Sequence, residues 1–220
     1  MTRSSLPIAV PLAAVAALLL TACGAGASDT SDKIQPPPPP RTTTPPPPAA
    51  PTTAGAAVPD APTFALPPDI TVEFKGFDGT AENKAVLQDA VYAAKSVLEL
   101  EARTRSKATS NFARFFTGER GAAYADALIG QGKDGGVITG TYRYYSSAVK
   151  PLQGGNLQVQ YCEDQRKAYA KDSKTGKVGV TTPSASDFRL WTLLMSKSPS
   201  GEWHVYDHTW IKGAKQCEVA

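Results

Sequence analysis

The chain has 220 residues, 41% of them hydrophobic and 20% charged, and a formal net charge of +3. That length holds one domain and a linker. So small a positive surplus argues against nucleic acid as a partner, because nucleic-acid binding needs a concentrated basic face.

At the N-terminus, Arg3 precedes an apolar run from Leu6 to Leu20, and small residues follow. A spanning helix needs roughly 20 apolar residues; this run is about 15 long and is broken early by Pro7 and Pro11. Residues 1–22 therefore read as a removed export signal rather than a transmembrane helix. The tetrad Leu20-Thr21-Ala22-Cys23 resembles the lipobox of bacterial lipoprotein precursors. The resemblance implies cleavage before Cys23, a diacylglyceryl group on its sulfur, and attachment to the extracytoplasmic face of the cell membrane. Two acyl chains give stable anchoring, since each buried methylene contributes about 0.8 kcal/mol. An ordinary secretory signal cut nearby is the alternative.

Residues 23–68 are rich in Pro, Thr and Ala, with prolines filling 36–40 and 45–48. Large apolar side chains are nearly absent, so no core forms there and the segment reads as a disordered linker. Proline fixes φ and removes the N–H donor, which favours extended polyproline II. At about 3.1 Å per residue, such a stalk reaches on the order of 140 Å. A docking motif for a proline-binding domain is the sharper alternative.

Residues 69–220 carry the patterns of a folded domain. Residues 70–74 alternate as a short strand. Asp78-Gly79-Thr80 turns the chain, with Thr80 as a helix N-cap. From 81 to about 103, Leu87, Val91, Ala94 and Leu98 recur at helical spacing. Glu82, Lys84, Gln88, Lys95 and Glu99 occupy the opposite face. Short helices fit 110–116 and 120–129, the latter stopped by Gly130 or Gly132. After Gly135-Gly136 the period changes from helix to strand. Strands fit 137–150, 157–170, 188–196 and 203–212, and short turns between strands predict antiparallel pairing. The fold class is therefore α+β, a long helix with smaller partners covering an antiparallel sheet of four or more strands.

This order resembles the NTF2-like, or SnoaL-like, superfamily across about 70–217, above all in Gly201-Glu202-Trp203-His204-Val205 at the start of the last strand and in the places of Cys162 and Cys217. It looks closest to NTF2-like lipoproteins of actinobacteria. The resemblance implies a cone, with the long helix in the concavity of a bent sheet. It also implies two functions to weigh: a binding or interaction module in the cell envelope, or an isomerase- or cyclase-type enzyme acting on an apolar small molecule.

Candidate chemistry is sparse. Setting Cys23 aside, Cys162 and Cys217 form an even pair in an exported domain and predict a disulfide, with two unrelated buried thiols as the alternative. By the period of two, Asp207 shares a face with Trp203, Val205, Thr209 and Ile211 and is the polar outlier among them. It is a candidate pocket base, with Tyr142 or Tyr144 as hydrogen-bonding partner. An aspartate at an open mouth, or one paired with Arg143 or Arg189, is the alternative. The two tyrosines also fit ordinary strand core. His204 and His208 lie four strand positions apart, roughly 13 Å, too far to share a metal ion. With Tyr206 and Trp210 they form an aromatic row suited to a partner surface. No cofactor or metal motif is present. The expected partners are the membrane, through lipid on Cys23, and then envelope proteins or a small apolar ligand.

Overall fold

The computed structural model describes residues 61–103 and 107–218. The export signal, Cys23 and most of the Pro/Thr-rich linker lie outside the described residues. The elements run β1 Ile70–Phe74, α1 Lys84–Glu101, α2 Ser110–Phe115, α3 Gly118–Gln131, β2 Gly136–Pro151, β3 Leu157–Asp172, β4 Val178–Gly179, β5 Phe188–Lys197 and β6 Trp203–Lys212.

The helix pattern resolves into a turn followed by α1. The amides of Asn83 and Lys84 both donate to the Thr80 carbonyl, so residues 81–83 form a turn and the helix proper begins at Lys84. Val86, Leu87, Ala90, Ala94 and Leu98 are buried, as the spacing requires. Glu99 is buried too, at 6% exposure, although its position places it on the outer face. The reason is a non-local cover. The incoming segment crosses that face, and Glu99 accepts hydrogen bonds from the Ala65 amide at 2.9 Å and from Asn111 Nδ2 at 3.0 Å. Thr109 caps α2 by accepting from the Phe112 amide at 3.0 Å. That fixes Phe112 and Phe115 in the core, stacked or tilted against Phe116, Tyr124 and Tyr92.

The strands form one sheet in the order β1-β2-β3-β5-β6, with β4 paired to the end of β3. β1 runs parallel to β2, and every other pair is antiparallel. This overturns the NTF2-like cone. Among the described residues the sheet has six strands, is mixed, and is open, with β1 and β6 at its two edges. The parallel pair follows from the chain path. Strands joined by tight turns must pair antiparallel, whereas β1 reaches β2 only after the chain has passed through all three helices, a crossover that brings a strand back parallel. Hairpin logic alone does not see it.

Three bulges shape the sheet. Between Thr141 and Arg143 the register slips, so β3 carries an extra residue opposite β2. Between Tyr145 and Ala148 the extra residue lies on β2, next to Ser146 with φ of 55°. The third lies between Leu194 and Met195, which pair with Asp207 and Val205, leaving Tyr206 as the extra residue of β6. Bulges bend a strand and re-aim its side chains. Gly140 sits beside the first, at φ of 95°, where a Cβ would stand 2.1 Å from the Lys167 carbonyl oxygen. Only glycine fits there.

The helices cover one sheet face. Leu98, Phe112 and Phe115 pack there with Val159, Leu193, Met195 and Val205 in one continuous core. Each such side chain contributes about 1.5–3 kcal/mol by leaving water. On the other face a small cluster surrounds a disulfide between Cys162 and Cys217, S–S 2.00 Å, with Phe188, Ala214, Tyr145 and Leu190. The cysteine pairing expected from the sequence is thus present.

Candidate functional site

The bulge at Tyr206 rearranges the predicted site. Val205 faces the helices opposite Met195, but beyond the bulge it is His208 and Trp210 that share this face, opposite Leu193 and Trp191. Asp207, opposite Leu194, turns to the other face with Thr209 and Ile211. Tyr142 and Tyr144 lie on the helix-covered face of β2, each 3% exposed. β3 and β5 stand between β2 and β6, three strand spacings or about 14 Å. The structure therefore does not bring Asp207 together with either tyrosine. The Asp207 carboxylate accepts a hydrogen bond from the amide of its own neighbour, His208, at 2.9 Å.

The two histidines also part company. His208 packs into an aromatic cluster, with ring centroids 4.1 Å from Tyr124 and 6.0 Å from Trp210. Burial holds its pKa below the ordinary imidazole value, against the opposing pull of Asp207. His204 lies on the opposite face, with Nε2 3.5 Å from Glu202 Oε2. Among the described residues, no group of three or more His, Cys, Asp or Glu side chains is placed to hold a metal ion. Trp210 and Ile211 remain 42% and 60% exposed on the free edge of β6. The first half of that edge is covered, since the Thr117 amide donates to the Val205 carbonyl at 3.0 Å. Among the described residues, the second half, from His208 onward, has β5 as its only strand partner.

The interior holds a polar cluster that the sequence reading passed over. Glu163 of β3 is 2% exposed. Its carboxylate accepts from the Tyr144 hydroxyl at 2.9 Å and from the Trp191 indole N–H at 2.7 Å, and Arg189 Nη1 stands 3.8 Å away. Glu101, in the last turn of α1, lines the same small cavity of about 20 Å³. Burial, then the nearby Glu163 charge, push the Glu101 pKa up to about 7, with Arg189 opposing. Burial pushes the Tyr142 and Tyr144 hydroxyls well up, followed by Glu101 and Glu163 for Tyr142 and by Glu163 for Tyr144. A cavity of this size is about that of one water molecule, so the cluster is a packed hydrogen-bond network rather than a substrate pocket. On its outer side Glu101 also borders a cleft of about 160 Å³ between the ends of α1 and α3 and the start of β2. The signal for Glu163 was partly present in the sequence. It is the charged outlier on the face of β3 that Val159 and Tyr161 occupy.

No protein-family model matches the chain, and no curated protein matches it. Several solved chains are similar, two of them at the following low identities. One is the intermembrane space region of the chloroplast protein ARC6, at 12% identity and a TM-score of 0.31, covering 55% of this chain and 95% of that one. The other is a protein from Catenulispora acidiphila, at 11% identity and a TM-score of 0.35, covering 62% of this chain and 94% of that one.

Proposed function

We propose that this chain is an envelope lipoprotein, anchored to the extracytoplasmic face of the membrane through Cys23, that presents a protein-interaction module on a Pro/Thr-rich stalk. The observation that supports the interaction role is the free second half of β6, where Trp210 and Ile211 stand 42% and 60% exposed on an edge strand. Proteins usually blunt such edges with charge or cover them. Here an aromatic and an aliphatic side chain flank an edge that no strand among the described residues pairs with, a surface suited to adding an extended segment of a partner. The packed interior and the separation of Asp207 from the tyrosines weigh against acid–base chemistry on an apolar substrate.

Two measurements test the reading. Cys23→Ala in the full chain should move the protein from the membrane fraction to the soluble fraction. Photo-crosslinkers at positions 210 and 211 should give one discrete adduct in the native envelope, and the same probe at the exposed Lys150 should not. Unchanged fractionation would remove the anchor, and identical patterns at all three positions would remove the edge.

A further inference from the structure

The outer sheet face, away from the helices and from the β6 edge, carries a groove of about 580 Å³ between the end of β1, β2 and β3. That volume falls in the usual range for ligand sites, about 300–1,000 Å³. Its shape comes from the bulge in β2. Ser146 holds a positive φ of 55°, which side-chain-bearing residues adopt at a cost, and the Ser147 hydroxyl ties the bulge to the Gly76 carbonyl. The groove lies over the disulfide, where the Tyr145 hydroxyl donates to the Cys217 carbonyl.

Its lining is cationic and held in place. Asp164, with a side chain only 4% exposed, grips Arg166 through Nε at 3.1 Å and Nη2 at 2.9 Å. The same carboxylate stands 3.6 Å from Arg143 Nη1, while Arg143 Nε donates to Glu73 at 3.1 Å. Burial opposes ionisation of Asp164, but the Arg166 hydrogen bonds and charge outweigh it and hold its carboxyl below the usual range. Each guanidinium has five N–H donors, so these contacts leave N–H groups free on both. The side chains of Arg143 and Arg166 remain 50% and 32% exposed. Lys75 lines the same groove, with no carboxylate in ion-pair reach among the described residues. Three cations thus face two carboxylates, Glu73 and Asp164.

We propose that this groove binds a phosphate ester, with Arg143, Arg166 and Lys75 meeting the phosphate oxygens. A phosphate presents three acceptor oxygens to three cations, whereas a carboxylate offers two, and guanidiniums fixed in advance lose little side-chain freedom on binding. The remaining groove, bounded by Tyr145, takes the organic part of the ester. Only a phosphate monoester presents three terminal oxygens, and a free monoester and the headgroup of phosphatidic acid share this chemistry.

The test is titration calorimetry on the full-length chain at low salt with glycerol 3-phosphate, glycerol and acetate, alongside phosphatidic acid vesicles. Saturable binding of glycerol 3-phosphate, absent for glycerol and weakened about tenfold by Lys75→Glu, is the expected result. A tenfold loss corresponds to about 1.4 kcal/mol. Arg166→Gln should abolish binding, but it leaves Asp164 without its main partner. Lys75→Glu, on an exposed side chain, keeps the test valid if that variant misfolds. Vesicle binding that Lys75→Glu weakens, without binding of the soluble ester, supports the site and assigns it to a lipid headgroup. No saturation by about 10 mM ester with no Lys75-dependent vesicle binding, affinity for acetate equal to that for the ester, or indifference to Lys75→Glu would each overturn the proposal.

Discussion

Glu101→Gln should make the protein more stable at alkaline pH and leave it nearly unchanged in acid. The Glu101 carboxyl is pushed from its ordinary 4.5 up to about 7, by burial first and by the Glu163 charge second. Between those values the folded protein holds a proton that the unfolded chain releases. Stability from this group is therefore fully present below about pH 4.5 and is lost as pH rises through about 7. At about 1.4 kcal/mol per pH unit, the loss across that interval is about 3 kcal/mol. Glutamine keeps the shape of the protonated acid and removes the charge. Urea unfolding of both full-length proteins from pH 4 to pH 9, with the disulfide intact, supplies the comparison. The groups around the site, Glu163, Arg189, Tyr124 and Tyr142, are common to both chains, and His208 contributes a slope of opposite sign to both. The difference between the two curves therefore isolates Glu101. It should rise by about 3 kcal/mol, mostly between pH 5 and 7. A difference that stays flat within about 1 kcal/mol, or a variant less stable than the parent at pH 9, would refute the claim that this carboxyl is forced to ionise beside Glu163.

Further outcomes follow from the same geometry. Replacing Cys162 and Cys217 by serine opens a bridge spanning 55 positions and should lower stability by about 4 kcal/mol, read from the urea midpoint. Gly140→Ala should cost on the order of 3–4 kcal/mol, because its Cβ meets the Lys167 carbonyl at a φ that alanine resists; a normal thermal midpoint would sink this account. Glu163→Gln keeps one acceptor oxygen and sets an amide N–H₂ against one of the two donors that need an acceptor, Tyr144 and Trp191. It should cost about 1–3 kcal/mol and shift Trp191 emission.

Periodicity was enough to read the order of the long elements, while the two-residue β4 lies in a stretch that reads as loop. The helix positions of Val86 to Leu98 and the change of period after Gly136 follow directly from local residue choice. Cysteine arithmetic led to the bridge because only two thiols remain once Cys23 is set aside. The failures are non-local or silent. Tyr206 is an ordinary strand residue, with no glycine or proline to announce the bulge, yet that one extra residue moves Asp207 off the Val205 face and splits His204 from His208. Glu99 looks like a solvent-facing helix residue until the segment around Ala65 is laid across it. The parallel pairing of β1 depends on the whole helical crossover, which no window of neighbouring residues contains. Glu163 was only partly legible: the period of two puts it beside Val159 and Tyr161, but Gln165 and Lys167 follow at the same parity.

The pairing of Ile70 with Gly140 also sets the order in which the chain can assemble. A ribosome delivers β1 and all three helices before the first residue of β2 exists. Through that interval Val86, Leu87, Ala90 and Leu98 have no sheet to cover them. The antiparallel strands β2, β3, β5 and β6 are joined by comparatively short connections and close cheaply, whereas β1 must wait for the long loop, and contacts so distant in sequence slow folding. The stretch 70–131 is therefore synthesised ahead of its cover, and docking of β1 closes the longest connection between paired strands of the sheet.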